Sequence, residues 1–130
     1  MNNDVIMMTE QDLLRIKNIL EFQNAEDFER LEFELERAKI ISASEVPADL
    51  VTMNTRVRYL NVQENKELIV TVVYPSEANS EEGKVSVLTP LGSALIGLRV
   101  GQEISWPFPD GKTKTLRILE VLAQSHSRSS

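Results

Sequence analysis

The chain has 130 residues, 42% of them hydrophobic and 26% charged, with a formal net charge of −6 and no cysteine. That length allows one domain, or a small domain with an appendage; the missing thiols exclude a disulfide scaffold, a cysteine nucleophile and a Cys-based zinc site, as suits a reducing compartment. No apolar run approaches the ~20 residues a membrane span needs, and Val5-Ile6-Met7-Met8 lacks the basic flank of a signal peptide, so a soluble cytoplasmic protein without a membrane partner is expected.

The first predicted element is a helix over residues 9–21. Thr9 is its N-cap, Asp12 stands three residues on in the capping-box position, and Met8 and Leu13 have the spacing of a hydrophobic staple. Leu13, Ile16 and Leu20 recur at helical steps as one apolar stripe. Asn24 and Asp27 repeat the capping pattern, and a second stripe (Phe28, Leu31, Leu35, Ala38) predicts a helix from Ala25 to about Ile40. Two amphipathic helices joined by a short polar turn make an antiparallel hairpin. Its surface is acidic: twelve acids stand against five bases in residues 1–50. Such a surface repels phosphate, so direct sequence-specific nucleic-acid binding is not expected, and a basic or metal-bearing partner is favoured.

Ser42 to Asp49, with Pro47, reads as a linker, and beyond it the apolar period changes from 3.6 to 2. Thr55–Leu60 and Glu67–Tyr74 are predicted strands of a hairpin turning through Asn61–Lys66. After the polar loop Pro75–Gly83 comes a strand at Lys84–Leu88. Thr89-Pro90, a hydroxyl cap with proline at the first helical position, opens a short helix that Gly97 stops. Glu103–Trp106 and Lys112–Leu122 are the last strands, joined by a turn through Pro107–Gly111, and residues 124–130 have the composition of a disordered tail. The expected class is α+β: a short antiparallel helical hairpin (coiled coil) over 1–45, an antiparallel β domain with one short helix over 46–123, and the tail.

Little in this inventory is catalytic. The single histidine, His126, lies in the tail, where a base lacks fixed geometry. There is no GxGxxG and no GxxxxGK[ST] pattern. Carboxylates are the one reactive group in quantity, and Glu21, Glu26 and Asp27 flank the hairpin turn, where capping alone accounts for the latter two. No catalytic residue, cofactor or metal is expected, and the chain is not expected to be an enzyme.

The most informative stretch is Thr89-Pro-Leu-Gly-Ser-Ala-Leu-Ile-Gly-Leu-Arg-Val-Gly-Gln-Glu103. It resembles the C-terminal domain of the bacterial GreA/GreB transcript-cleavage factors, whose pattern reads approximately S-P-L-G-x-A-L-L-G-x-x-V-G-D. Val51-Thr-Met-Asn-Thr-Arg-Val and Val72-Val-Tyr-Pro-Ser-Glu-Ala match the strands that lead into that motif, in the same order. Within the superfamily, Asp49-Leu-Val-Thr-Met-Asn-Thr-Arg-Val with Gly97-Leu-Arg-Val-Gly101 looks most like the Rnk group (regulator of nucleoside diphosphate kinase). The resemblance covers roughly residues 46–122 by sequence and 9–41 by architecture.

The resemblance implies an FKBP-like β domain that docks on the rim of the secondary channel of bacterial RNA polymerase, and a helical hairpin that enters the channel. Leu88, Thr89, Pro90, Leu91 and Ser93 would then form the docking surface, although Gre factors commonly carry an acid where Leu88 stands. In Gre factors paired acids at the coiled-coil tip hold Mg²⁺ beside the polymerase active site. Here the two predicted helices span about 18 and 24 Å at 1.5 Å per residue, against about 45 Å for a Gre-type arm of ~30-residue helices. Glu21, Glu26 and Asp27 are therefore expected at the hairpin tip but out of reach of the active site. The expected function is a polymerase-binding regulator of transcription that competes with Gre factors without transcript cleavage. True transcript cleavage and peptidyl-prolyl isomerisation are the alternatives; for the second, Trp106 before Pro107 is the one candidate residue of an aromatic floor.

Overall fold

Residues 5–124 are described by a computed structural model. The expected disordered tail falls outside the described residues, His126 with it, apart from Gln124, which closes the last strand.

Strand β1 (Met7–Thr9) leads directly into helix α1 (Glu10–Leu20). Thr9 caps this helix as its sequence predicts, its side chain accepting from the Asp12 amide at 3.2 Å, and Leu13, Ile16 and Leu20 are buried as one stripe. The chain turns at Glu21–Gln23, and the Asn24 side chain accepts from the Glu26 amide at 3.1 Å. That cap opens a single 3₁₀ turn, Ala25–Phe28, before helix α2 (Glu29–Arg37) begins. The second helix is thus shorter at both ends than its periodicity suggests. At its end Ala38 turns extended (ψ 141°), and Lys39–Ile41 forms strand β2, parallel to β1 with Met7 opposite Lys39. The branched pair Ile40-Ile41 loses side-chain freedom in a helix and fits a pleated strand, and β1 supplies the partner.

This small ribbon is stitched to the rest of the chain. The Lys39 amide donates to the Ile6 carbonyl at 2.8 Å, and the Met7 amide donates to the Gly97 carbonyl at 3.1 Å. Gly97 has φ +84°, and a Cβ placed on it would lie 2.5 Å from Cβ of buried Ile6. Only glycine meets both conditions, the left-handed backbone and the missing side chain.

The linker contains one 3₁₀ turn (Ala43–Glu45), and the chain then enters β3 (Thr55–Asn61) and β4 (Lys66–Val73). There follow β5 (Lys84–Ser86), helix α3 (Pro90–Leu95), β6 (Glu103–Pro107) and β7 (Thr113–Gln124). Strands β3 to β7 make a five-stranded sheet in the order β5-β4-β3-β7-β6, antiparallel except for the β4–β5 pair. Register shifts interrupt the β3–β7 ladder. Alternation sends Val57, Tyr59, Leu116, Ile118, Ile104 and Trp106 to one face, where they join Leu13, Ile16, Leu20, Leu31 and Leu35 of the helices in a continuous apolar core. On the opposite face Arg58 reaches Glu120 at 2.9 Å and Glu67 at 2.8 Å, linking three strands.

Both helices are tied down on the sheet. The Tyr74 hydroxyl donates to Asp12 at 3.0 Å, and the Arg15 guanidinium lies 4.0 Å from the centre of the same ring. Arg30 of α2 donates to the Ser105 carbonyl at 3.2 Å and stands 4.7 Å from the centre of the Trp106 ring. Among the described residues no helix is long and apolar enough to cross a membrane.

Candidate docking surface

The short helix α3 owes its shape to a few polar contacts. The Thr89 side chain accepts from the Gly92 amide at 3.1 Å and donates to the Ser86 carbonyl at 2.7 Å, while Pro90 fills the first helical position, where no amide is needed. Ser93 is buried and its hydroxyl donates inward to the Val87 carbonyl at 2.7 Å. Gly92 lets the helix sit against β5: a Cβ there would fall 2.2 Å from the Ser86 carbonyl oxygen. Leu88 is half-buried and packs against the core, with its amide donating to the Ser86 hydroxyl at 3.0 Å.

Beside this helix lies an open cleft of about 520 Å³. Leu88, Pro90 and Ser93 form one wall, Trp106, Pro107, Phe108 and Pro109 another, and Glu26, Asp27, Phe28, Arg30 and Leu31 the third. Two residue sets that the sequence assigns to different segments, the hairpin turn and the β-domain docking surface, thus contribute to one hollow. Thr89 and Leu91 are not among its lining residues; Thr89 acts as the helix cap, and Leu91 packs on the core.

The three turn acids do not stay together. Glu26 and Asp27 are exposed at the cleft, and among the described residues neither carboxylate has an ion-pair partner. Glu21 lines a different groove of about 270 Å³ between the two helices, with Lys17, Leu20, Glu32, Leu35 and Glu36. Among the described residues no three acids or imidazoles come close enough to hold a metal ion. No chemical step is assigned to these carboxylates. Arg30, the one cation of the cleft lining, is engaged: besides Ser105 and the Trp106 ring, it lies 3.8 Å from the buried Glu34.

Phe28, Arg30 and the Pro107–Pro109 turn line the cleft although the sequence does not single them out as site residues. The signal for them in the sequence is Pro107-Phe108-Pro109, an aromatic held between two prolines, a pattern that also fits a simple turn. Trp106, 4% exposed, is a core residue that also lines the cleft, with the Arg30 guanidinium over its ring.

Known proteins resemble the chain on both sides of residue 46. The family model for "Transcription elongation factor, GreA/GreB, C-term" matches residues 46–123. The regulator of nucleoside diphosphate kinase of Escherichia coli K12 is 36% identical over 93% of this chain and 91% of its own length. Transcription elongation factor GreA of Nitratiruptor is 38% identical over 67% of this chain but only 53% of its own, so the chain spans about half that relative. Among solved structures, a GreA/GreB elongation factor from Nitrosomonas europaea superposes with a TM-score of 0.75 at 38% identity, covering 93% of this chain and all of that one. Gfh1 of Thermus aquaticus, at 22% identity and a TM-score of 0.51 over 92% of this chain and 99% of its own, shares the fold. By sequence across almost its whole length and by the architecture around α3, the chain belongs to the GreA/GreB family of transcription elongation factors.

Proposed function

We propose that this protein is a regulator of transcription that binds bacterial RNA polymerase in the cytoplasm. It docks an FKBP-like unit (46–123) on the secondary-channel rim through the α3 surface, and it competes there with Gre factors without promoting transcript cleavage. The observation that carries this reading is the position of the turn acids. Helices α1 and α2 have 11 and 9 residues, about 17 and 14 Å at 1.5 Å per residue. Instead of crowning an extended arm, Glu26 and Asp27 lie across a cleft from Pro90. A carboxylate that shares a hollow with the docking helix cannot also reach a nucleotide-joining metal at the far end of the channel.

Retention of bacterial core polymerase on the immobilised protein at low salt is the direct test; no retention defeats the proposal. Because the helical half is acidic, retention should weaken as ionic strength rises.

One observation favours a second reading. Phe28, Trp106 and Phe108 give the cleft an aromatic lining, which a prolyl isomerase of the FKBP kind would need. Against it, Arg30 covers the Trp106 ring and the Ser93 hydroxyl is turned inward. A prolyl-peptide isomerisation assay is expected to give the uncatalysed rate.

A further inference from the structure

The cleft combines an aromatic, apolar lining with a pair of carboxylates. Its floor and one wall are apolar: Leu88, Pro90, Trp106 and Phe108. Its mouth carries Glu26 and Asp27, both exposed and, among the described residues, without ion-pair partners. The apolar lining is anchored on rigid elements. Trp106 lies in β6, Pro90 opens α3, and the Phe108 turn is closed by a Gly111 amide to Phe108 carbonyl bond of 3.0 Å. The acids are held as firmly, since the Asn24 cap fixes the turn at Glu26 and Arg30 ties the following helix to the Ser105 carbonyl.

We infer that the cleft binds one segment of a partner protein, an apolar side chain seated between Leu88 and Phe108 and an adjacent lysine or arginine meeting Glu26 and Asp27. Two uncompensated carboxylates beside an apolar hollow favour a basic, amphipathic peptide, and they repel the phosphates of a nucleic acid. Arg30 does not cancel them, because Glu34 and the Trp106 ring hold its charge on the inner wall. On this account the turn acids are docking residues rather than the remnant of a catalytic tip. The inference rests on the proposed function only for the partner's identity; the chemistry of the cleft stands apart from it.

Trp106 is the single tryptophan of the chain, so its emission reports on the cleft directly. The full-length protein is titrated at low salt with a short synthetic peptide alternating lysine and leucine, and with its glutamate-for-lysine counterpart. A saturable emission change with the first peptide and none with the second is expected. The variant E26Q/D27N should weaken the first peptide by about three- to tenfold, the scale of two solvent-exposed charge pairs, and the loss should vanish at high salt. The variant E32Q/E36Q removes the same charge from the other groove and should leave the affinity unchanged. No emission change in the wild type, or equal weakening by both variants, overturns the inference.

A second arm uses core RNA polymerase. Weaker retention of E26Q/D27N than of wild type supports the inference for that partner, and equal retention overturns it there. If the peptide binds as expected while polymerase is not retained at all, the proposed function fails and the cleft's chemistry survives.

Discussion

The hydroxyl of Tyr74 donates to the carboxylate of Asp12 at 3.0 Å, joining the end of β4 to the first turn of α1. Asp12 is thereby drawn from the capping-box role its position suggests; its amide still serves Thr9, while its side chain serves the sheet. Tyr74→Phe removes a hydrogen bond to a charged acceptor in a half-buried site, and about 1–2 kcal/mol of stability is expected to go with it. Thermal or urea unfolding measures this, with the circular dichroism of the folded variant as the control.

The same pair sets an alkaline limit. Burial, then the Asp12 charge and hydrogen bond, raise the Tyr74 pKa above its ordinary value of 10.0. Tyr59 is raised as well, by burial and then by Glu64. A group that ionises later in the folded chain than in the unfolded one favours folding below its unfolded pKa, and that contribution fades as pH climbs through the folded value. Stability should therefore hold up to about pH 10 and decline above it. Tyr74→Phe should make the decline shallower, leaving the part due to Tyr59; unfolding free energies measured at rising pH decide the matter.

Gly97→Ala is expected to be severe. The new Cβ meets Ile6 at 2.5 Å and the backbone stays left-handed, so strain and overpacking together should cost about 2–4 kcal/mol. Pairing it with Ile6→Gly, which removes the Cβ that the new methyl meets, should relieve the clash, so the double variant loses less than the two single losses combined. A double-mutant cycle by denaturant unfolding reads the coupling directly.

Thr89→Ala removes a cap that both accepts from Gly92 and donates to Ser86. A loss of about 1–2 kcal/mol is expected, or roughly 3–6 °C in melting temperature for a chain of this size. Polymerase retention should fall alongside, since Pro90 and Leu88 flank the loosened turn.

In a stalled elongation complex, the protein alone should leave the RNA at full length. Added in excess over a cleavage-competent Gre factor, it should slow the appearance of shortened RNA. Glu26→Gln with Asp27→Asn should not restore or abolish any cleavage of its own; shortening by the wild-type chain would require carboxylates at the active site.

Much of the fold was legible from local rules. Thr9 and Thr89 cap helices because a hydroxyl beside a free amide is a purely local bond. The strand pair β3–β4 was visible as alternation at Thr55–Leu60 and Glu67–Tyr74. Strands β1 and β2 were not, because three residues carry too little pattern; Lys39–Ile41 becomes a strand only because Met7–Thr9 lies alongside. For the site, Leu88, Pro90, Glu26 and Asp27 could be named from the sequence, yet their meeting in one cleft could not. Phe28 and Trp106 belong to distant segments, and only packing brings them to the same wall.

The stitching of Ile6, Met7, Lys39 and Gly97 into one knot also dictates an order of assembly. During synthesis the helical segment leaves the ribosome before the sheet, but its seat is made partly by a glycine nearly half a chain later. Until that glycine arrives, the greasy stripes of both helices have nothing complete to rest on, so the newborn front half must wait, exposed to chaperones, for the back half to close over it.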